Sequence, residues 1–174
     1  AIVIRLKSLL LPQANQIMME EKEKAWKTVS SKYLFRRPWL TVRCEDMLLP
    51  NGNHIPEYYI LEYPDWVNTI AITKDGKFVF VRQYRPGLGR TSYELCAGVC
   101  DKEDASPLVS AQRELWEETG YGKGNWQEYM VISANPSTHT NLTHCFLATD
   151  VEPIDHQHLE DTEDLSVHLL TFEE

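Results

Sequence analysis

The chain has 174 residues, of which 43% are hydrophobic and 25% charged, the proportions of a folded globular protein rather than a disordered one. Its 17 basic and 26 acidic residues give a formal net charge of −9, which argues against a nucleic-acid partner. The longest apolar stretches are a few residues long, far below the roughly 18 that cross a bilayer, so we expect no membrane span and no membrane partner.

The cysteine pattern indicates a reducing compartment. The chain has four cysteines, which are Cys44, Cys96, Cys100 and Cys145. They show no paired C-x-x-C spacing, and a chain of this size does not need disulfides for its stability. We therefore expect a cytoplasmic protein. The apolar residues 9–11 are followed at once by Pro12 and by no small-residue cleavage site, which argues against a signal peptide.

The first 25 residues are expected to form a segment distinct from the domain that follows, which we place at residues 26–174. From Gln13 to Val29 the chain is rich in Glu, Lys and Met and contains no Gly, which predicts a helix with a solvated polar face. The chain begins without a methionine, and this leaves the origin of residues 1–17 open.

Short runs rich in β-branched and aromatic residues come next and predict strands. These runs are residues 32–35, 40–48, 58–62, 68–73 and 78–84. The turn sequences at residues 51–53 (Asn-Gly-Asn) and 75–76 (Asp-Gly) separate neighbouring runs, as in β-hairpins. We therefore expect a strongly paired, antiparallel sheet in this part of the chain.

A change of pattern at Ser106 predicts the central helix. Ser106 has the side chain of an N-cap, and Pro107 stands at the first helical position. Apolar residues then recur at helical spacing as far as Thr119. Gly120 ends the helix, since glycine readily takes the positive φ of a C-cap.

Three further strands are predicted after this helix, at residues 126–133, 144–148 and 166–170. Residues 171–174 have the composition of the capped, acidic first turn of another helix, so we expect the domain to continue beyond Glu174. Strands, one central helix and strands again indicate the α+β class.

Three glutamates of the central helix converge on one face. Glu114, Glu117 and Glu118 stand at i, i+3 and i+4, within an arc of about 100°. Like charges at this spacing repel, whereas Mg²⁺ or Mn²⁺ would turn the repulsion into binding. Taken alone, these glutamates would be interpreted as a solvated helix face in which Arg113 pairs with Glu117.

The surrounding sequence changes that interpretation. Residues 113–121, R-E-L-W-E-E-T-G-Y, together with Gly98, resemble the Nudix box G-x5-E-x7-R-E-U-x-E-E-x-G-U, in which U is aliphatic or aromatic. All seven defined positions of the second half are present. Ala105 stands where the first Glu of the box belongs, and a one-residue insertion would let Asp104 or Glu103 take that place.

The resemblance extends over roughly residues 26–174. Residues 81–87 and 94–98 resemble the V-x-Q-Y-R and E-L-P-A-G segments of the ADP-ribose pyrophosphatase branch, with Cys96 in place of the proline. Pro136 lies at the spacing of that branch's proline marker. Residues 159–164 resemble the acidic loop that supplies the late catalytic glutamate.

This resemblance implies an α+β fold, a Nudix-like mixed β-sheet sandwiched with helices, with one central catalytic helix. It also implies hydrolysis of the pyrophosphate bond of ADP-ribose or a related nucleoside diphosphate sugar, with Mg²⁺ or Mn²⁺ as cofactor. The implied metal ligands are Glu114, Glu117, Glu118 and the Ala97 carbonyl. The implied catalytic residues are Glu114, Arg113 as the group that orients a glutamate, and Glu163 as general base with Asp161 as the alternative. The implied substrate-binding residues are Arg85, Glu94 and Pro136.

Two other functions stay open at this stage. One is a Nudix-like sensor that binds nucleotides without cleaving them, and the other is an acidic protein-interaction domain, which would leave the box unexplained. Relatives often dimerise through N-terminal strands, so we expect a homodimer. The candidates for stacking on adenine are Trp26, Tyr33, Phe35 and Trp39. His156 and His158 lack partners at ligand spacing and are interpreted as surface residues.

Overall fold

The computed structural model describes residues 3–5 and 24–174 and divides the chain into two compact units. The N-terminal unit comprises residues 1–63 and 133–141, and the C-terminal unit comprises residues 64–132 and 142–174. The expectation of one domain over residues 26–174 stays a prediction. In the described part of the chain, no helix combines the length and the apolar character that a membrane crossing requires.

The N-terminal unit contains a three-stranded antiparallel sheet in the order β2-β3-β4. Its strands are β1 (Val3–Arg5), β2 (Lys27–Arg37), β3 (Leu40–Leu48) and β4 (His54–Glu62), of which β1 lies outside that sheet. Gly52 takes a φ of 86° in the turn between β3 and β4, which confirms the hairpin predicted there. Every residue of β2 is exposed.

The predicted helix from Gln13 to Val29 is wrong at its end. Lys27 and Thr28 open strand β2 and pair with Leu48 and Met47 of β3, because pairing with a neighbouring strand outweighs the modest helix propensity of the segment. Residues 13–23 of that predicted helix lie outside the described residues.

The C-terminal unit is built on a mixed sheet in the order β9-β10-β5-β7-β6-β11. The strands are β5 (Trp66–Thr73), β6 (Phe78–Arg85), β7 (Arg90–Val99), β8 (Tyr121–Gly122), β9 (Asn125–Ser133), β10 (Thr143–Pro153) and β11 (Leu165–Leu170). Strands β5 and β10 run parallel, whereas the other pairs are antiparallel. The strands before the helix pair with one another in antiparallel fashion, as the hairpins predict. The sheet of the C-terminal unit is mixed, as the resemblance implied, and the α+β class is confirmed.

One helix, α1 (Pro107–Thr119), is described in this unit and packs on the sheet. Its buried Ala111 and Leu115 are fully enclosed, and Leu115 joins a core cluster with Val79, Cys96 and Val151. The helix is therefore held firmly against β7 and its neighbours, which fixes the direction of its glutamates. Residues 171–174, expected as the capped first turn of a further helix, form a turn in which Glu174 accepts hydrogen bonds from the N–H and the hydroxyl of Thr171.

Candidate active site

Local capping sets the ends of helix α1 where the sequence predicts them. The side chain of Ser106 accepts a 3.4 Å hydrogen bond from the N–H of Val109, and Pro107 begins the helix. Gly120 has a φ of 73°, and its N–H donates to the carbonyl of Trp116 at 2.8 Å. These caps fix the rotation of the helix and hence the face that carries the glutamates.

Glu118 is a buried carboxylate, with only 5% of its surface exposed. Its Oε2 atom accepts a 3.2 Å hydrogen bond from the backbone N–H of Ala97 on β7. Burial raises the pKa of Glu118 to about 7; the charges of Glu114 and Glu163 act in the same direction, while hydrogen bonds from Cys96 and Ala97 act against it. The site therefore holds a carboxylate whose charge the protein compensates only in part.

Glu114 lies directly over Gly98, the glycine of the Nudix-like box. A Cβ atom at position 98 would collide with the carboxyl group of Glu114. Burial raises the pKa of Glu114, and Arg113 lowers it while Glu117 and Glu163 raise it. The glycine thus gives the carboxylate its space beside β7.

Arg113 links the carboxylates around the helix. Its Nη1 atom donates to Glu114 Oε1 and to Glu117 Oε2, each at 2.9 Å, and its Nη2 atom donates to the carbonyl of Val99 at 3.0 Å. Burial lowers the pKa of Arg113, but hydrogen bonds to Asp104 and Glu117 outweigh it, so the pKa is raised above its ordinary value. Arg113 therefore stays charged and orients both glutamates, the contact that the resemblance implied.

Asp104, one of the two candidates for the first acidic position of the box, contacts Arg113. Its Oδ2 atom accepts hydrogen bonds from Nε and Nη2 of Arg113 at 3.2 and 3.0 Å, and the hydrogen bond from Arg113 lowers the pKa of Asp104. Glu103 is exposed, as is Ala105. Of the two acidic residues that the sequence left open, the structure selects Asp104 for the contact with Arg113.

The acidic loop at residues 159–164 contains both candidates for the general base. The carboxylate of Glu163 accepts a 3.0 Å hydrogen bond from the N–H of Glu160, and its charge contributes to the raised pKa of Glu114 and of Glu118. Asp161 lies exposed in the same loop. The charge of Glu163 therefore acts on both helix glutamates. Its role as general base stays a prediction.

Arg85 and Glu94, both predicted to bind substrate, bind each other across β6 and β7. The Nε atom of Arg85 lies 3.0 and 2.9 Å from the two oxygens of Glu94, and its Nη2 atom lies 2.6 Å from Oε2. Pro136 lies instead in the loop at 133–141 of the N-terminal unit, which is tied to β4 by the hydrogen bond from the N–H of Leu61 to the carbonyl of Thr138. Arg85 and Glu94 therefore form an ion pair within the C-terminal unit, whereas Pro136 belongs to the N-terminal unit.

The segment at residues 154–158 covers the carboxyl end of α1, a feature that sequence reasoning missed. The side chain of Gln157 donates to the carbonyl of Glu118 at 2.7 Å, and the N–H of His158 donates to the carbonyl of Glu117 at 2.8 Å. No spacing or composition signal marks these contacts, because they join residues about 40 positions apart in the chain.

Comparisons with known protein families identify the family of this chain. The family model of the NUDIX domain matches residues 63–174, and a second model, described as the nucleoside diphosphate sugar hydrolase N-terminal domain, matches residues 26–61. The chain belongs to the NUDIX family. It is a Nudix hydrolase, and the resemblance to the ADP-ribose pyrophosphatase branch is confirmed by its relatives.

Similar proteins include the ADP-ribose pyrophosphatase of Bacillus subtilis (strain 168), which is 31% identical over 149 residues, covering 85% of this chain and 80% of that protein. The ADP-ribose pyrophosphatase of Mycobacterium tuberculosis (strain ATCC 25618 / H37Rv) is 28% identical over 76% of this chain and 63% of that protein. The methanol dehydrogenase activator of Bacillus methanolicus is 33% identical over 70% of this chain and 65% of that protein. A crystal structure of an ADP compounds hydrolase shares the fold of this Nudix hydrolase, with a TM-score of 0.76, 21% identity and coverage of 88% and 82% of the two chains.

Proposed function

We propose that this Nudix hydrolase cleaves the pyrophosphate bond of ADP-ribose or a related nucleoside diphosphate sugar, releasing a nucleoside monophosphate and a sugar phosphate. The observation that carries the proposal is that the carboxyl groups of Glu118 and Glu114 lie against Ala97 and Gly98 of β7. Burial raises the pKa of both carboxyls, and the charge of Glu163 acts in the same direction. The names of two relatives and the branch-like segments at 81–87 and 94–98 support the substrate class.

The carboxylates fit a divalent cation such as Mg²⁺ or Mn²⁺. Glu114, Glu117 and Glu118 supply hard oxygen atoms at helical spacing, and the Ala97 carbonyl is proposed as a fourth ligand. Burial raises the pKa of Glu118 despite the hydrogen bonds from Cys96 and Ala97, which favours the neutral form unless a cation is near. A bound cation would favour the charged form.

When bound, Mg²⁺ neutralises pyrophosphate oxygens, lowers the pKa of a coordinated water and stabilises the leaving phosphate. The protein holds the ligands in place: Arg113 orients Glu114 and Glu117, and the Ala97 N–H orients Glu118. We propose Glu163 as the residue that accepts the proton of the attacking water, with Asp161 as the alternative.

Arg85 is proposed to clamp the pyrophosphate. Its planar guanidinium matches phosphate oxygens bidentately, as it already matches the carboxylate of Glu94. Glu94 would hold the guanidinium in its binding orientation, and Pro136 would shape a substrate loop. The side chain of Arg85 is 44% exposed, so a ligand can reach it.

A homodimer is proposed because the N-terminal sheet exposes a set of large apolar side chains. They are Trp26, Val29, Tyr33, Leu34, Phe35, Trp39 and Leu40. Exposed apolar groups clustered on one segment are typical of protein or ligand contact surfaces, and the aromatic members also suit stacking on adenine. The four cysteines are free thiols, which supports the proposal of a cytoplasmic location.

An assay with ADP-ribose and Mg²⁺ separates the enzyme from a nucleotide-binding sensor. We expect release of AMP and ribose 5-phosphate, its loss in EDTA, and its return on adding excess Mg²⁺ or Mn²⁺. Chromatography of the products measures the reaction, and calorimetry measures ADP-ribose binding in parallel. Binding without AMP release would identify a sensor, and full turnover in EDTA would contradict the metal proposal.

A further inference from the structure

A second group of side chains that could hold a metal ion is formed by Asp155, His156 and His158, none of which belongs to the glutamate cluster. One ligand atom from each residue lies within 4.8 Å of the other two. The carboxylate of Asp155 contacts both imidazoles, with Oδ1 at 2.7 Å from Nδ1 of His156 and Oδ2 at 3.0 Å from Nε2 of His158, and the two rings lie against each other with centroids 4.4 Å apart. The sequence interpretation of the two histidines as unrelated surface residues missed Asp155 as their shared partner.

The backbone that carries this Asp-His-His cluster is anchored to helix α1. The N–H of Asp155 donates to the carbonyl of Gly120 at 3.1 Å, and the N–H of His158 donates to the carbonyl of Glu117 at 2.8 Å. The ring of His158 also stacks on Trp116, with centroids 4.2 Å apart. Because these contacts already fix the backbone, a ligand that binds the cluster does not have to order the segment first.

The cluster also lies at the end of α1 that favours positive charge. The carboxyl end of a helix carries the negative pole of its dipole, and cations are stabilised there. The last turn of α1 contains no basic residue. The histidine-containing segment at 154–158 covers this end, so a cation held by the cluster would interact favourably with the negative pole of the helix dipole.

We propose that Asp155, His156 and His158 bind a transition-metal ion of the Zn²⁺ type. Two imidazole nitrogens and one carboxylate oxygen are a donor set that suits Zn²⁺ and not Mg²⁺, which prefers oxygen atoms alone. Zn²⁺ binds such atoms at about 2.0–2.2 Å, so small side-chain rotations bring the three ligands onto one ion. Water would complete the tetrahedral shell, and the ion would replace the two contacts of Asp155 with the imidazoles.

The site connects the helix to the acidic loop. His158 immediately precedes residues 159–164, the loop that contains Glu163. An ion held at the cluster therefore ties the start of this loop to the carboxyl end of α1. The binding site itself does not depend on the proposed hydrolase activity, because none of its three residues is assigned to the glutamate cluster.

Zn²⁺ titration of the whole chain tests the proposal, by calorimetry and by thermal unfolding in excess Mg²⁺ to keep the glutamates occupied. We expect one Zn²⁺ per chain and a rise in Tm, since an ion that binds only the folded state stabilises it. His156→Ala should weaken binding at least about tenfold, because loss of even an indirect partner of a metal ligand costs that much. The double variant His156→Ala/His158→Ala should lose it.

Three controls keep the result interpretable. The side chain of His156 is 78% exposed, so His156→Ala should have the same Tm as the unmodified chain in the absence of zinc. The double variant also loses the contact between His158 and Trp116, and its zinc-free Tm can therefore be lower. His54→Ala, at an exposed histidine of the other unit, should bind Zn²⁺ as the unmodified chain does. The double variant Glu114→Gln/Glu118→Gln should also keep its Zn²⁺ binding. Unchanged Zn²⁺ binding by both cluster variants, loss in the glutamate variant, or no binding by the unmodified chain would overturn the proposal.

Discussion

The backbone N–H of Ala97 donates a 3.2 Å hydrogen bond to the carboxylate of Glu118, across 21 positions of the chain. This contact joins strand β7 to helix α1 at the buried side chain of Glu118. It supplies one donor to a carboxylate that remains partly uncompensated, as the pKa of about 7 shows. The following predictions rest on that arrangement.

Replacing a helix glutamate should slow catalysis without unfolding the protein. Glu118→Gln and Glu114→Gln each remove one charge from the proposed cation site, and we expect kcat to fall by roughly 10²-fold or more. Steady-state assays and circular dichroism measure the two effects. The matched control is Glu103→Gln, which removes an exposed charge near the box and should leave kcat unchanged. Near-normal kcat in both helix variants would mean that these glutamates form a solvated helix face without a catalytic role.

Gly98→Ala should impair the site through Glu114. The added methyl group collides with the carboxyl group of Glu114 and must displace it, so we expect Mg²⁺ to bind more weakly and kcat/KM to fall at least about tenfold. Kinetics at several Mg²⁺ concentrations measure this. Gly87→Ala is the control, because a Cβ atom there meets nothing within 4 Å and its φ is not positive. Equal kinetics in the two variants would contradict the account.

Glu118 should make the metal-free protein less stable as the pH rises. Its pKa is raised from 4.5 when unfolded to about 7 when folded, so between these values the folded state binds the extra proton, and stability falls with rising pH. In EDTA, Glu118→Gln should gain on the order of 1–3 kcal/mol relative to the unmodified protein between about pH 5 and about pH 8. Urea unfolding at both pH values measures the gain. If the free energy of unfolding of both proteins changed equally with pH, burial of the charged Glu118 carboxylate would not destabilise the fold.

Local signals explain how much of this architecture could be predicted. Ser106, Pro107 and Gly120 act on their own backbone, so the bounds of α1 follow directly from the sequence. Strand β7 was missed because its β-branched residues, Thr91 and Val99, stand near its two ends, and pairing with β5 and β6 makes it a strand. The predicted helix ending at Val29 failed for the same reason, since tertiary pairing overrides local propensity.

In the candidate site too, some features follow from the local sequence and others depend on long-range packing. The spacing of Glu114, Glu117 and Glu118 fixes their common face without any tertiary information. The choice of Asp104 over Glu103 depends on the path of a loop, and the sequence contains no rule for that path. The contact between His158 and Trp116 depends likewise on long-range packing.

The most direct test of the central claim compares kcat/KM for ADP-ribose with that for dATP and dGTP, in the presence of Mg²⁺. We predict that ADP-ribose is cleaved to AMP and ribose 5-phosphate with a kcat/KM at least about tenfold higher, a difference of about 1.4 kcal/mol in transition-state binding. GDP-mannose belongs in the same panel, because a preference for it would keep the nucleoside diphosphate sugar class but replace ADP-ribose. A nucleoside triphosphate as the better substrate would contradict the claim.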